Sequence, residues 1–151
     1  MIKIMKIMFI CTGNICRSAM AEVLLKTKSE NCKNEIEVYS CGVFAEDGAR
    51  ASSKSIEILK EKYNVDLTQH KATHIRNSNI EEMDLILCMT LAHKIMVVQM
   101  YPKLKDKIYT LKEYAKMQDM DIKDPWGLSS EVYERVAKEI NDCIEIMIQT
   151  I

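Results

Sequence analysis

Apolar positions along the chain fall into two rhythms. Four short runs are apolar almost without interruption: IMKIMFIC at 4–11, IEVYS at 36–40, DLILCM at 84–89 and KIYTL at 107–111. Their shortness and their content of Ile, Val and Tyr predict strands covered on both faces. Between them the apolar positions recur at steps of three and four. SAMAEVLLKTKSE, at 18–30, brings Met20, Val23, Leu24 and Thr27 to one helical face; helices are also predicted over 52–64 and 91–101. The clearest helix is the last, over 130–151, where Val132, Val136, Ile140, Cys143, Ile144, Met147 and Ile151 form one stripe. Ser129 or Ser130 is placed to cap it, and Glu131 suits its N-terminal dipole. Strands alternating with helices predict an α/β fold: a parallel sheet flanked by helices on both faces, built as one domain over 1–151. One long irregular stretch, 114–128, contains KDPWGL. Chemistry is expected at the C-terminal ends of the strands and in this loop.

Composition narrows the class of function. A chain of 151 residues, 48% hydrophobic and 28% charged, has the make-up of a globular protein that buries a real core. Its formal net charge of -1 gives no general attraction to nucleic acid or an anionic membrane, so any anion site has to be local. The N-terminal MIKIMKIMFIC is broken by Lys3 and Lys6 and carries no small-residue cleavage pattern. No window is long and apolar enough for a membrane span. With no export signal, the 6 cysteines are expected as thiols in the reducing cytoplasm, catalytic or buried.

The segment CTGNICRS, Cys11 to Ser18, stands where the first strand hands over to the first helix. Gly13 and Asn14 are the residues able to take positive φ there. A loop folded in that way turns its backbone N–H groups of Thr12, Gly13, Asn14, Ile15 and Cys16 inward and makes an anion nest at a helix N-terminus. Arg17 adds a planar cation suited to a phosphoryl group. Cys11 then lies at the bottom of the nest, where positive potential favours its thiolate, and the Ser18 hydroxyl is placed to donate to that sulfur. Cys16 is close enough in the loop for a reversible disulfide with Cys11. Cys32, Cys41, Cys88 and Cys143 read as structural.

These residues carry a family resemblance. CTGNICRS followed by MAE, YSCGV after the second strand, DLILCMT on the third and DPWG near residue 124 together resemble the low-molecular-weight protein tyrosine phosphatases over essentially the whole chain. The resemblance implies a four-stranded parallel sheet flanked by helices, no metal or other cofactor, and a covalent phosphocysteine intermediate. It implies Cys11 as nucleophile, Arg17 as phosphate ligand and Asp124 as general acid, then base. Pro125 stiffens the loop and biases Asp124 towards extended backbone. Asn14, Ser40 and His70 match positions that form a hydrogen-bonded network beneath the loop; His74 and His93 read as uninvolved. The partner implied is a phosphorylated protein, with phosphate-like anions as inhibitors.

Substrate choice rests on a few positions. Some bacterial members of the same family act on phosphoarginine, and YTLKEY with the short DPWG loop is similar to that branch. Arginine-specific members usually carry threonine where this chain has Ile15. Ile15 and Trp126, with Phe44, would give walls that grip an aromatic ring. Phosphotyrosine is therefore the expected substrate and phosphoarginine the alternative. A thioredoxin-coupled arsenate reductase would need two further cysteines after the third strand, where only Cys88 stands. Sugar-phosphotransferase IIB carriers lack the loop arginine. A zinc site from Cys11, Cys16, His70 and His74 would have an unusually long cysteine spacing.

Overall fold

The computed structural model describes residues 3–151. β1 (Ile4–Cys11), β2 (Glu35–Gly42), β3 (Leu85–Cys88) and β4 (Ile108–Thr110) form one parallel sheet in the order β2-β1-β3-β4. The continuous apolar character of β1 follows from its place inside the sheet. Ile7, Phe9 and Cys11 point to one face and pack with residues of α1 (Arg17–Lys28), α2 (Ser53–Tyr63) and α5 (Ser130–Met147). Met8 and Ile10 point to the other and pack with Ile86, Cys88 and, on α3 (Leu91–Met100), Val97. Burying each such Ile or Phe stabilises the fold by about 1.5–3 kcal/mol relative to leaving it exposed. This is the four-stranded parallel sheet with helices on both faces that the alternation of patterns predicted.

Element ends differ from the sequence expectation by a few residues, as strand and helix ends do. β2 runs on to Gly42, which places it opposite Cys11 in the register. α1 buries Met20, Ala21, Leu24 and Leu25, while Thr27 faces out and turns its hydroxyl onto the Val23 carbonyl. α5 is capped by Ser129, whose hydroxyl accepts from the Val132 N–H at 3.4 Å. The α5 stripe also buries Tyr133, which the apolar pattern did not include.

The irregular stretch predicted over 114–128 is led into by a short helix, α4 (Leu111–Tyr114). Thr110 and Glu113 close a reciprocal capping box, a signal present in the sequence as TLKE. Within it, Lys112 is buried and pairs with Glu139 of α5 at 2.7 Å and with Asp119 at 3.0 Å, pinning the start of the loop to the last helix. Among the described residues no helix is long and apolar enough to cross a membrane.

Candidate active site

The loop from Cys11 to Arg17 leaves the C-terminal end of the central strand and enters α1 without a side-chain cap. No acidic residue occupies the first turn of α1, so the free N–H groups there remain for an anion. Asn14 takes the left-handed conformation at φ 57°, while Gly13 does not. That corrects the expectation for Gly13: one left-handed residue is enough to turn this loop.

Asn14 is fully buried, and its contacts fix its unusual backbone. Its side-chain nitrogen donates to Ser18 and Ser40, both at 2.8 Å, and its side-chain oxygen accepts from the Thr73 N–H at 2.9 Å. His70 Nε2 donates to the Asn14 carbonyl at 2.6 Å. The Ser18 hydroxyl, which accepts from Asn14, is 2.8 Å from the Cys11 sulfur and keeps its proton free to donate to a Cys11 thiolate, which can only accept. The Asn14 N–H points at the same sulfur at 3.3 Å. Two donors therefore converge on Cys11, the arrangement a thiolate requires.

Behind this network stands Glu22, which sequence reasoning did not single out. It accepts a short hydrogen bond from Ser40 and lies 3.9 Å from His70 Nδ1. The MAE triplet contained it, but nothing in the spacing showed that it would reach Ser40 on the neighbouring strand. Ser40 and His70 thus lie beneath the loop, each bonded to Asn14.

Arg17 is buried, and its guanidinium is incompletely satisfied. Nη1 donates to the Ile122 carbonyl at 2.9 Å; Nη2 lies 3.5 Å from Thr12 Oγ1 and 3.7 Å from Asp124 Oδ2. Nε has no partner among the described residues. A buried cation with an unpaired N–H is strongly unfavourable unless an anion completes it.

Asp124 lies on the loop between α4 and α5, with a half-exposed side chain whose Oδ1 accepts from the Trp126 N–H at 3.1 Å. A cleft of about 200 Å³ is lined by Cys11, Thr12, Gly13, Ile15, Cys16, Arg17, Asp124 and Trp126. The structure thus brings Ile15 and Trp126 into one cleft with Cys11. Phe44 is 69% exposed and stands outside those walls; its backbone N–H binds the Thr12 carbonyl instead. Cys16 turns its thiol to Ser52 and Tyr133, at 3.4 and 3.5 Å. His74 caps a short turn by accepting from the Arg76 N–H, and no group of three His, Cys, Asp or Glu among the described residues could hold a metal ion.

His93, which the sequence left outside the site, lies behind its wall, against Thr12. Nε2 is 2.8 Å from the Thr12 hydroxyl, and the ring is buried. Burial, and then the Arg17 charge, push its pKa down from 6.5 to about 4, against a weaker upward pull from Asp121 and Asp124. The unfolded chain takes up a proton below pH 6.5 that the folded imidazole refuses until about pH 4, so stability falls as pH falls through that window. The expected contribution is on the order of 3 kcal/mol. Urea midpoints of wild type and His93→Gln, compared at neutral pH and at about pH 4.5, check it. The wild type should lose more stability on acidification, and equal losses would rule the effect out.

A cysteine under two donors, an anion nest at a helix N-terminus, a buried arginine with a free N–H and a carboxyl at the mouth define a cysteine-dependent phosphate hydrolase. Sequence comparison agrees. The family model for low molecular weight phosphotyrosine protein phosphatase matches residues 6–151. A protein-arginine-phosphatase of Geobacillus stearothermophilus is 39% identical over 140 residues, covering 93% of this chain and 91% of that one. The low molecular weight protein-tyrosine-phosphatase PtpB of Staphylococcus epidermidis is 35% identical over 142 residues, covering 93% and 95%. The crystal structure of a low molecular weight protein tyrosine phosphatase from T. tengcongensis superposes with a TM-score of 0.91 at 39% identity, covering 97% of this chain and 99% of that one. The chain belongs to the low-molecular-weight phosphotyrosine protein phosphatase family.

Proposed function

We propose that the protein removes phosphate from tyrosine side chains of phosphorylated proteins, with Cys11, Arg17 and Asp124 as its catalytic residues. The observation that carries this reading is the cleft itself: the Cys11 sulfur at its floor, Arg17 beside it and Ile15 and Trp126 as apolar walls. The Cys11 thiolate attacks phosphorus, held by Arg17 and the N–H groups of Thr12 to Ser18. The phosphorus–oxygen bond to the ring breaks, and the proton on Asp124 passes to the leaving phenolate oxygen. Water then attacks the phosphocysteine, Asp124 takes its proton, and the sulfur–phosphorus bond breaks to release phosphate and restore the thiolate. Proton transfer of this kind contributes about 10²–10⁴-fold in rate.

Family resemblance implies a deep, narrow pocket that favours a long aromatic ester over phosphoserine, whose short side chain would not bring its phosphate down to Cys11. Free phosphate and similar anions compete for the same nest. A cytoplasmic location fits the 6 free cysteines.

A second substrate reading is favoured by one observation, the 39% identity to a relative named as a protein-arginine-phosphatase. Ile15 opposes it, since an apolar side chain at the cleft wall suits a ring better than a guanidinium. Phosphate release from matched phosphotyrosine and phosphoarginine peptides, with Cys11→Ser as control, decides between them. The expected result is a phosphotyrosine preference of about tenfold or more in kcat/KM, equivalent to about 1.4 kcal/mol. A phosphoarginine preference would reverse the substrate assignment and leave the mechanism. No release above the control would remove the mechanism too.

A further inference from the structure

We propose that His93 is a positioning residue for phosphate binding, holding the Thr12 hydroxyl against Arg17 so that the guanidinium keeps its fork turned into the cleft. The inference rests on the phosphatase reading of the cleft and adds to it a residue from a distant part of the chain.

Thr12 follows the nucleophile directly, and its side chain lies between two cationic or potentially cationic groups. His93 Nε2 is 2.8 Å from Thr12 Oγ1 on one side, and Arg17 Nη2 is 3.5 Å from the same oxygen on the other. His93 itself is fixed by α3, where its backbone N–H binds the side chain of the N-cap, Thr90, at 3.1 Å. Both ends of the linkage are buried, with His93 at 6% and Arg17 at 4% exposure.

Hydrogen-bond counting sets the direction of the linkage. A hydroxyl oxygen accepts twice and donates once, and an arginine nitrogen can only donate. The Nδ1 atom of His93 is buried and unpaired. If the proton sat on Nδ1, a buried donor would be stranded; with the proton on Nε2, only an acceptor is left bare, the less unfavourable case. The neutral ring therefore donates from Nε2, and Thr12 Oγ1 accepts from both His93 and Arg17. The Thr12 O–H is then left over, on a residue that lines the cleft beside Cys11. A bound phosphate oxygen would accept it.

Without His93, Thr12 is free to rotate and Arg17 loses one of its three neighbours, keeping the Ile122 carbonyl and the longer Asp124 contact. The loss is expected in phosphate affinity more than in the chemical step.

Steady-state hydrolysis of 4-nitrophenyl phosphate and competitive inhibition by inorganic phosphate test this in His93→Leu, His93→Gln, Thr12→Val and the Leu/Val double variant. His93→Leu should raise the phosphate inhibition constant and KM about tenfold, equivalent to about 1.4 kcal/mol, with a much smaller change in kcat. His93→Gln, whose amide nitrogen still donates, should recover most of the loss. Thr12→Val, which also removes the hydroxyl that meets phosphate, should lose at least as much as His93→Leu, and the double variant should be no worse than Thr12→Val. An unchanged inhibition constant in His93→Leu, no recovery in His93→Gln, or a full His93→Leu effect in the Thr12→Val background would overturn the linkage. Should His93→Leu fail to fold, an unaltered inhibition constant in Thr12→Val would overturn it alone. An inactive wild type that binds no phosphate removes the phosphatase reading as well; an active wild type with unaffected variants removes only this one.

Discussion

Replacing Arg17 with lysine is expected to lower kcat/KM for an aryl phosphate by about 10³-fold, the effect of losing directed donors at a developing charge. The charge would survive; the geometry would not. Arg17 is fixed through Nη1 on the Ile122 carbonyl at 2.9 Å, which leaves Nε without a partner among the described residues. A lysine ammonium is a single point on a flexible stem and cannot hold that carbonyl and present a fork to phosphate together. The variant should also leave the buried Ile122 carbonyl short of a donor, so a modest loss of stability is expected with the loss of rate. Steady-state kinetics with 4-nitrophenyl phosphate, beside a thermal melt, separate the two. A folded variant within tenfold of wild type would show that Arg17 does not hold the transferring group.

A change outside the cleft should have a comparably large effect. Gly42 ends β2 directly beside Cys11, and its neighbour Val43 donates to the Cys11 carbonyl at 3.0 Å. A Cβ added at Gly42 would overlap the Thr12 carbonyl oxygen and come within 2.9 Å of the Asn14 nitrogen. Both are backbone atoms of the phosphate loop, so no flexible side chain can move aside. Gly42→Ala is expected to destabilise the protein by about 2–3 kcal/mol. By displacing the loop it should also lower kcat/KM about 10²-fold, as small misplacements of catalytic groups do. Urea denaturation and kinetics on the same preparation check both, and a variant with wild-type stability and rate would show that the loop can yield here.

The two substitutions mark different depths of legibility. Arg17 could be picked out from CTGNICRS because the loop, the strand before it and the helix after it are contiguous in sequence. Gly42 sits in YSCGV, which the family resemblance flagged, yet its need for a bare Cα comes from the backbone of a loop 28 to 30 residues earlier in the chain.

The strands and main helices were readable for the same reason as the loop. Periodicity is a local property, and β1 inside the sheet must be apolar on both faces. The TLKE capping box was equally local, but at four residues α4 was too short to show a hydrophobic period. Tyr133 was missed because its hydroxyl binds Cys16, 117 residues away, although its ring is buried with the α5 stripe.

By itself, then, the sequence determined the α/β alternation, a left-handed turn at Gly13 or Asn14, and the placing of Cys11 and Arg17 on one strand-to-helix loop, because each is written in neighbours along the chain. Tertiary structure alone decided that Glu22 would brace Ser40, that Ile122 would hold Arg17 and that His93 would meet Thr12 across 81 residues. It also left Phe44 in solvent, although its aromatic side chain had been expected in the wall with Ile15 and Trp126. These outcomes follow from which strand ends and loops the sheet order brings together, and no local pattern of residues encodes that proximity.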